Sequence, residues 1–269
     1  MKEFQAGGAL IFWSSAVIYG LYLSAQGAEA QSIRQDVLAN NLANASTTAF
    51  KRNLAIFQAH PPFEVERGIA EPLPGDQNLN TGGLSLADIV TDYSNGSLQP
   101  TGGDLDVALA GPGFLRVSDG SREFLTRDGG LDVTPQGQLV TRNHGYAVLG
   151  ANGNPMSIVP GAGKVEISAD GIVSQSAGAI QLGRLGLVEP VNDAALQKVG
   201  DNLYAVTGPT VPTGPATQVR QGFLEASGTN PTLEMIDLIE SSRALEANVN
   251  MIKTQDEALG RLLGSLPRR

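Results

Sequence analysis

The C-terminal end of the chain carries an apolar repeat at spacings of three and four: Met235, Leu238, Ser242, Leu245, Val249, Ile252, Asp256, Leu259, Leu263 and Leu266. Only Ser242 and Asp256 interrupt it. So narrow a seam is the pattern of a helix that meets another helix, not one that lies across a broad core. No proline falls between Pro231 and Pro267, so one continuous helix fits. Asn230 is suited to cap it, and Pro231 to the first position, where its missing N–H is not needed. Glu234 and Asp237 fall near the positive end of the helix dipole. A lone helix with this seam is marginal in water, so it needs a partner.

The front of the chain offers a weaker seam of the same kind: Leu21, Ala25, Ala28, Ser32, Gln35, Ala39 and Leu42. It lies on a predicted helix from Ile18 to about Ala45. The run Asn40-Asn41-Leu42-Ala43-Asn44-Ala45-Ser46-Thr47-Thr48 ends that helix, because Asn, Ser and Thr compete for backbone hydrogen bonds. The polar seam residues are expected to set register at some expense in stability.

Between the helices the pattern changes. Pro61, Pro62, Pro72 and Pro74 exclude helix and suggest a linker over 58–83. From Leu84 to Glu225 short apolar runs alternate with turn dipeptides such as Asn95-Gly96, Asp119-Gly120, Asp128-Gly129, Asn152-Gly153 and Asp170-Gly171. This predicts an antiparallel, meandering sheet, with strands at 105–110, 114–117, 138–141, 146–149, 164–167, 182–188 and 202–206. A turn is expected near Ala194 to Lys198. The fold class is therefore mainly β with long terminal α-helices: an antiparallel β-rich central domain plus a coiled-coil-like helical domain from both ends. The segments are 1–17, an N-terminal extra piece; 18–57, the helical front; 58–83, the linker; 84–225, the β domain; and 226–269, the C-terminal helix.

Chemistry is sparse. There is no cysteine, which removes disulfides and thiolate sites. A formal charge of −9 with scattered Lys and Arg argues against nucleic-acid binding. His60 and His144 stand alone in a Pro-rich stretch and beside a turn, and are read as loop histidines, not metal ligands. Asp104 and Asp106 share one face of a predicted strand, but nothing near them suggests acid–base work, and turn residues are the simpler reading. Gly111-Pro112-Gly113 lacks both the spacing and the helix of a phosphate loop and is expected to be a tight hairpin connection. No catalytic residue, cofactor site or metal site is assigned. Phe4 to Ala28 contains no charge, and its Gly and Ser content makes it a poor membrane span.

One stretch carries a resemblance. Asp36-Val37-Leu38-Ala39-Asn40-Asn41-Leu42-Ala43-Asn44-Ala45-Ser46-Thr47-Thr48-Ala49-Phe50-Lys51-Arg52 resembles the N-terminal signature of bacterial flagellar rod and hook proteins, which usually have Gly at the place of Ala49. Similar blocks follow in family order: Thr101 to Leu109, Gly111 to Phe114, Thr126 to Gly129, Gln221 to Ser227, and Glu234 to Asn248. At Ser227-Gly228-Thr229-Asn230 the chain departs from the usual Ser-Asn-Val.

The resemblance implies a structural subunit of the basal-body rod, without catalytic chemistry. It implies export through the flagellar type III apparatus, location in the periplasm-spanning rod, and partners among other rod subunits, itself included. It also implies terminal segments that order on assembly, with no membrane contact afterwards. Interface residues on that reading are Leu21, Ala25, Ala28, Ala39, Asn40, Asn41, Leu42, Asn44 and Phe50 at the front. At the back they are Met235, Leu238, Leu245, Val249, Ile252, Leu259, Leu263 and Leu266. The blocks Asp92 to Gly96, Gly145 to Gly150 and Gly183 to Val188 look more like the proximal rod member, with the distal member the alternative. Family members usually begin just before the counterpart of Ile18-Tyr19-Gly20. Translation is therefore expected to start at Val17, a genuine extension being the other reading. Two further classes are open: an envelope binding protein anchored by Phe4 to Ala28, and a glycan-acting enzyme.

Overall fold

The computed structural model describes residues 4–60, 82–176 and 178–265. The expected linker 58–83 falls mostly outside these, as do Leu266 and the four prolines. The chain divides into two compact units. One holds residues 1–43, 53–91 and 231–269; the other holds 44–52 and 92–230.

The first unit contains helix α1 (Phe4–Ala43), strands β1 (Asn53–His60) and β2 (Gly83–Thr91), and helix α2 (Pro231–Ser265). The start of α2 at Pro231 agrees with the sequence reading. The strand pair is a correction: 53–57 was counted with the helical front and 58–83 with a linker, yet β1 and β2 form an antiparallel ribbon from Asn53↔Thr91 to His60↔Gly83. Two polar side chains of α1 explain why. Asn41 donates from Nδ2 to the Asn53 carbonyl and accepts from the Asn53 N–H, both at 2.9 Å. At the far end Gln26 Oε1 accepts from the Leu84 N–H at 3.1 Å. Gly83, at φ +113°, lies so close that a Cβ would sit 1.6 Å from the same oxygen. Only glycine fits there.

The second unit is the β body. Its strands are β3 (Leu98–Pro100), β4 (Val107–Ala110), β5 (Phe114–Ser118), β6 (Glu123–Thr126), β7 (Leu131–Val133), β8 (Leu139–Thr141), β9 (Ala147–Val148), β10 (Val165–Ile167), β11 (Ile172–Gln175) and β12 (Ile180–Arg184). They continue with β13 (Leu187–Pro190), β14 (Leu196–Gly200), β15 (Leu203–Val206), β16 (Thr210–Pro212), β17 (Gln218–Gln221) and β18 (Phe223–Glu225). Every pairing among the described residues is antiparallel. The largest sheet runs β14-β15-β6-β5-β9-β8-β7, with β13 joining β5 to β16; β10-β11-β12, β17-β4 and β18-β3 complete the unit.

Three local expectations change. Gly111-Pro112-Gly113 does not close a hairpin: β4 pairs with β17 and β5 with β6, so it is a crossover between sheets. The run 182–188 is two strands broken at Leu185-Gly186, where Gly186 passes against the Leu149 and Gly150 carbonyls. The turn near Ala194 is a short 3₁₀ segment, Asp193–Ala195, that leads straight into β14. The core is aliphatic, with Val117, Leu139, Val148 and Val173 fully buried. Beside it Phe114, Leu125, Val188, Leu196 and Tyr204 form a second cluster, edged by Tyr93. Gly129 is required by contact, since a Cβ would fall 1.6 Å from the Val107 carbonyl.

Candidate assembly interface

Helices α1 and α2 pair with each other in the first unit. Asn41 Nδ2 reaches Glu234 Oε2 at 3.4 Å, and Ser241 Oγ donates to Gln31, to its carbonyl at 3.1 Å and its Oε1 at 2.9 Å. Gly27 faces Asn248, and Gly20 faces Gln255. The order along the two helices runs opposite ways, so the pair is antiparallel. The inner face of α2 is therefore marked by Glu234, Ser241, Asn248 and Gln255. Leu238, Leu245 and Ile252 fall between them at spacings of three and four, Leu259 follows four residues after the last, and all four are half-buried.

That placement sorts the residues picked from the sequence. Leu238, Leu245, Ile252 and Leu259 belong to the face turned to α1. Met235, Val249 and Leu263 lie one position round the helix and are exposed, Leu263 at 68 %. Among the described side chains of α1 the buried positions are Ser24, Ala30, Val37, Leu38 and Asn41. Leu21, Ala28 and Leu42 are half-buried, whereas Ala25, Ala39 and Asn40 are exposed. Asn44 is half-buried and Phe50 is buried, both in the β body. The sequence seam and the observed inner face share one row and differ in the other. The second row is polar on α2 and polar or glycine on α1, so an apolar count steps past it.

Outside that pairing, α2 presents Ile236, Ile239 and Met251 to solvent along with Met235, Val249 and Leu263. The β1–β2 ribbon adds Leu54, Ile56, Ile89 and Val90, each at least 40 % exposed. Such exposure of large apolar side chains marks a surface that meets another surface. The ribbon residues were missed in the sequence because Asn53 to His60 shows no clean alternation of polar and apolar residues.

The signature segment 44–52 is held in the β body by charge. Glu225, 2 % exposed, accepts from Lys51 Nζ at 2.6 Å, from Arg127 Nη1 at 3.2 Å and from the Gly96 N–H at 2.8 Å. Arg127 is otherwise satisfied by the Gly113 and Gly111 carbonyls and by Asn95 Oδ1. Burial pulls the Lys51 ammonium below the ordinary lysine range, and the bond to Glu225 opposes that. Ala49 sits at φ +55°, a left-handed position that explains why glycine is usual there, and donates its N–H to the Glu225 carbonyl. Thr48 Oγ1 donates to Asp128, and Asn202 Nδ2 to the Thr48 carbonyl. Lys198 Nζ lies 4.0 Å from the Phe50 ring centroid and donates to the Lys51 carbonyl; burial pushes its pKa down to about 8. The clue to this network was charge inside otherwise Gly-rich or apolar blocks: Lys51 beside Arg52, Arg127 beside Asp128, and Glu225 alone.

The residues weighed for chemistry take structural places. Asp106 is buried before β4 and accepts from Thr101 Oγ1 and Arg142, whereas Asp104 pairs at the surface with Lys164. His60 bonds Ser85 Oγ, and His144 lies 3.4 Å from Asp201. Among the described residues no three His, Asp or Glu side chains gather as metal ligands, and no helix is long and apolar enough to cross a membrane.

Comparison with known proteins fits this arrangement. Residues 21–51 match the model of the flagella basal body rod protein family. Residues 108–175 match the flagellar hook protein FlgE/F/G D1 domain, and 220–264 the C-terminal model of the flagellar basal body rod FlgEFG proteins. A flagellar basal-body rod protein FlgF of Caulobacter vibrioides is 40 % identical over 82 % of this chain and 87 % of its own length. Proteins named FlgG from Buchnera aphidicola subsp. Schizaphis graminum and Bacillus subtilis are 35 % and 31 % identical. They cover 91 % and 92 % of this chain, and 99 % and 98 % of their own length. With both terminal helices, the β body and the signature segment accounted for, the chain belongs to the flagellar basal-body rod protein family, as a structural subunit of the rod and not an enzyme.

Proposed function

We propose that this subunit polymerises through its first unit, with the α1–α2 pair as the inner element and the outward side of α2 as the surface that receives neighbours. The observation that carries this is the set of large apolar side chains left in solvent on a helix whose other face is already used. Burying one such side chain stabilises a contact by roughly 1.5–3 kcal/mol when complete, so partial burial of several is ample for a polymer contact. The same patch meeting a different patch on the next copy gives a heterologous contact, and a rotation that does not close gives a tube. The front residues Leu21, Ala25, Ala28, Ala39, Asn40 and Leu42 act in the same assembly. Asn41 and Phe50 act indirectly, by holding the ribbon and the signature segment.

The subunit reaches the periplasm-spanning rod through the flagellar type III export apparatus. We assign it to the proximal section, on the sequence blocks at 92–96, 145–150 and 183–188 and on its higher identity to the FlgF protein than to the FlgG proteins. The distal section is the second reading, favoured by alignment along nearly the whole of FlgG. The test is Val249→Asp, an exposed change that spares the α1–α2 contact. The expected result is normal secretion, a normal melting curve for the monomer, and no rods or swimming. Normal swimming would sink the outward surface of α2 as the contact. Peptide mapping of purified hook–basal bodies, with antibody labelling along the rod, decides the section.

A further inference from the structure

The inner face of α2 repeats a polar residue every seven positions: Glu234, Ser241, Asn248 and Gln255. Opposite them on α1 stand Asn41, Gln31, Gly27 and Gly20. The fit is reciprocal in size. A Cβ on Gly20 would come 2.8 Å from Gln255 Nε2, and one on Gly27 would come 3.1 Å from both polar atoms of the Asn248 amide. A helix-to-helix seam gains more from leucine at such positions, and Gln255 Oε1 is buried without a hydrogen-bond partner. Polar residues that weaken a helical seam are known to select register and partner.

We propose that this ladder is a recognition device in which Gly20 and Gly27 are sockets for Gln255 and Asn248. The inner face of α2 then accepts an α1 of this sequence in one antiparallel register and rejects a second α2. Two α2 helices laid face to face have no glycine in the inner row Glu234, Ser241, Asn248 and Gln255 to receive either amide, since Gly260 and Gly264 lie off it. Leucines would meet amides, and the helices would be held apart. Shifting α2 by three or four positions sets Gln255 and Asn248 against residues with side chains of their own. The outward side of α2 is thereby left as the surface open to other copies. The proposal concerns the single chain and holds for either section of the rod.

The chain has no cysteine, so engineered thiols report register directly. In the full-length protein, Gln31→Cys with Ser241→Cys is expected to oxidise within one chain, at a rate independent of dilution. Gln31→Cys with Asn248→Cys, one step out of register, is expected not to. Adding Gly20→Leu and Gly27→Leu to the first pair should slow its closure about tenfold or more. Near-ultraviolet circular dichroism of the tyrosine cluster checks that the β body stays folded. Three further variants separate recognition from mere stability. Gly27→Asn alone should slow closure, and Gly27→Asn with Asn248→Gly should restore it, since the swap keeps one glycine and one amide on the rung. Gln255→Leu should raise the melting temperature of the helix pair, because it removes the unpartnered buried oxygen, yet let the out-of-register pair form. Unchanged closure in the filled-socket variant, or a swap that closes no faster than Gly27→Asn alone, would overturn the proposal.

Discussion

Removing Glu225 should unfold the β body far more readily than removing either cation it holds. Glu225→Leu deletes three acceptor contacts at once and leaves Lys51 and Arg127 buried, at 1 % and 3 % side-chain exposure. Breaking a buried pair by taking one partner costs about 3–5 kcal/mol, mostly from the charge left behind. Lys51 can shed its proton, because burial already lowers its pKa, and this limits its share. Arg127 cannot lose its charge but keeps Asn95 and two carbonyls. We therefore expect a loss of about 4 kcal/mol. At roughly 2–4 °C per kcal/mol for a domain of this size, the melting temperature falls by about 8–16 °C. Lys51→Met leaves Glu225 with Arg127 and the Gly96 N–H, and should cost only about 1–2 kcal/mol. The assay is urea and thermal unfolding followed by near-ultraviolet circular dichroism, where Tyr93 and Tyr204 report on the β body. In the double mutant the losses should be clearly less than additive. A Glu225→Leu loss below about 1 kcal/mol, or strict additivity with Lys51→Met, would refute the assignment of Glu225 as the hub.

Three other expectations are accessible. Lys198 has a folded pKa of about 8 against 10.5 when free. Between these values the unfolded chain therefore binds more protons, and stability rises with pH across the window. Below about pH 8 both states hold the proton and the slope vanishes. Melting from pH 7 to about 9.5 should show this rise in the parent and a smaller one in Lys198→Met; equal slopes would remove Lys198 as the source. Gly129→Ala, with its Cβ placed against the Val107 carbonyl, should cost about 3 kcal/mol or more. Gly120→Ala, at φ +95° with open space around it, should cost only about 1 kcal/mol, and similar melting losses for the two would contradict the contact argument. Asn41→Ala should release β1 from α1, read as fast hydrogen exchange at the Asn53 amide with little change in the β body.

Much of the frame was legible. The seam on α2, its start at Pro231 and the turn dipeptides of the β body follow from period, capping and turn chemistry; the signature block was read from its resemblance to rod and hook proteins. The ribbon β1–β2 was not legible, because it is held by two side chains of α1, Asn41 and Gln26, and not by a strand pattern of its own. The inner faces of the helices were misread by one position for a related reason. At two rungs of their second row glycine on α1 meets an amide on α2, Gly27 with Asn248 and Gly20 with Gln255, a complementarity visible only when both are seen together. The Glu225 network was hidden likewise: Lys51, Arg127 and Glu225 are far apart in sequence, and each alone looks like a surface charge. The crossover at Gly111-Pro112-Gly113 imitates a hairpin because glycine and proline serve both.

The pairing of α1 with α2 joins segments made before and after the whole β body. Neither helix can cover its inner face until residues beyond Pro231 are available, however early Phe4–Ala43 takes shape. A contact of such long range forms late, after the entropy of closing the intervening chain is met. Emergence therefore acts as a clock. Whether the chain leaves a ribosome or threads a narrow channel, its helical unit stays unfinished until α2 is through. A subunit made this way cannot dock by a completed helix pair while part of it is still in transit.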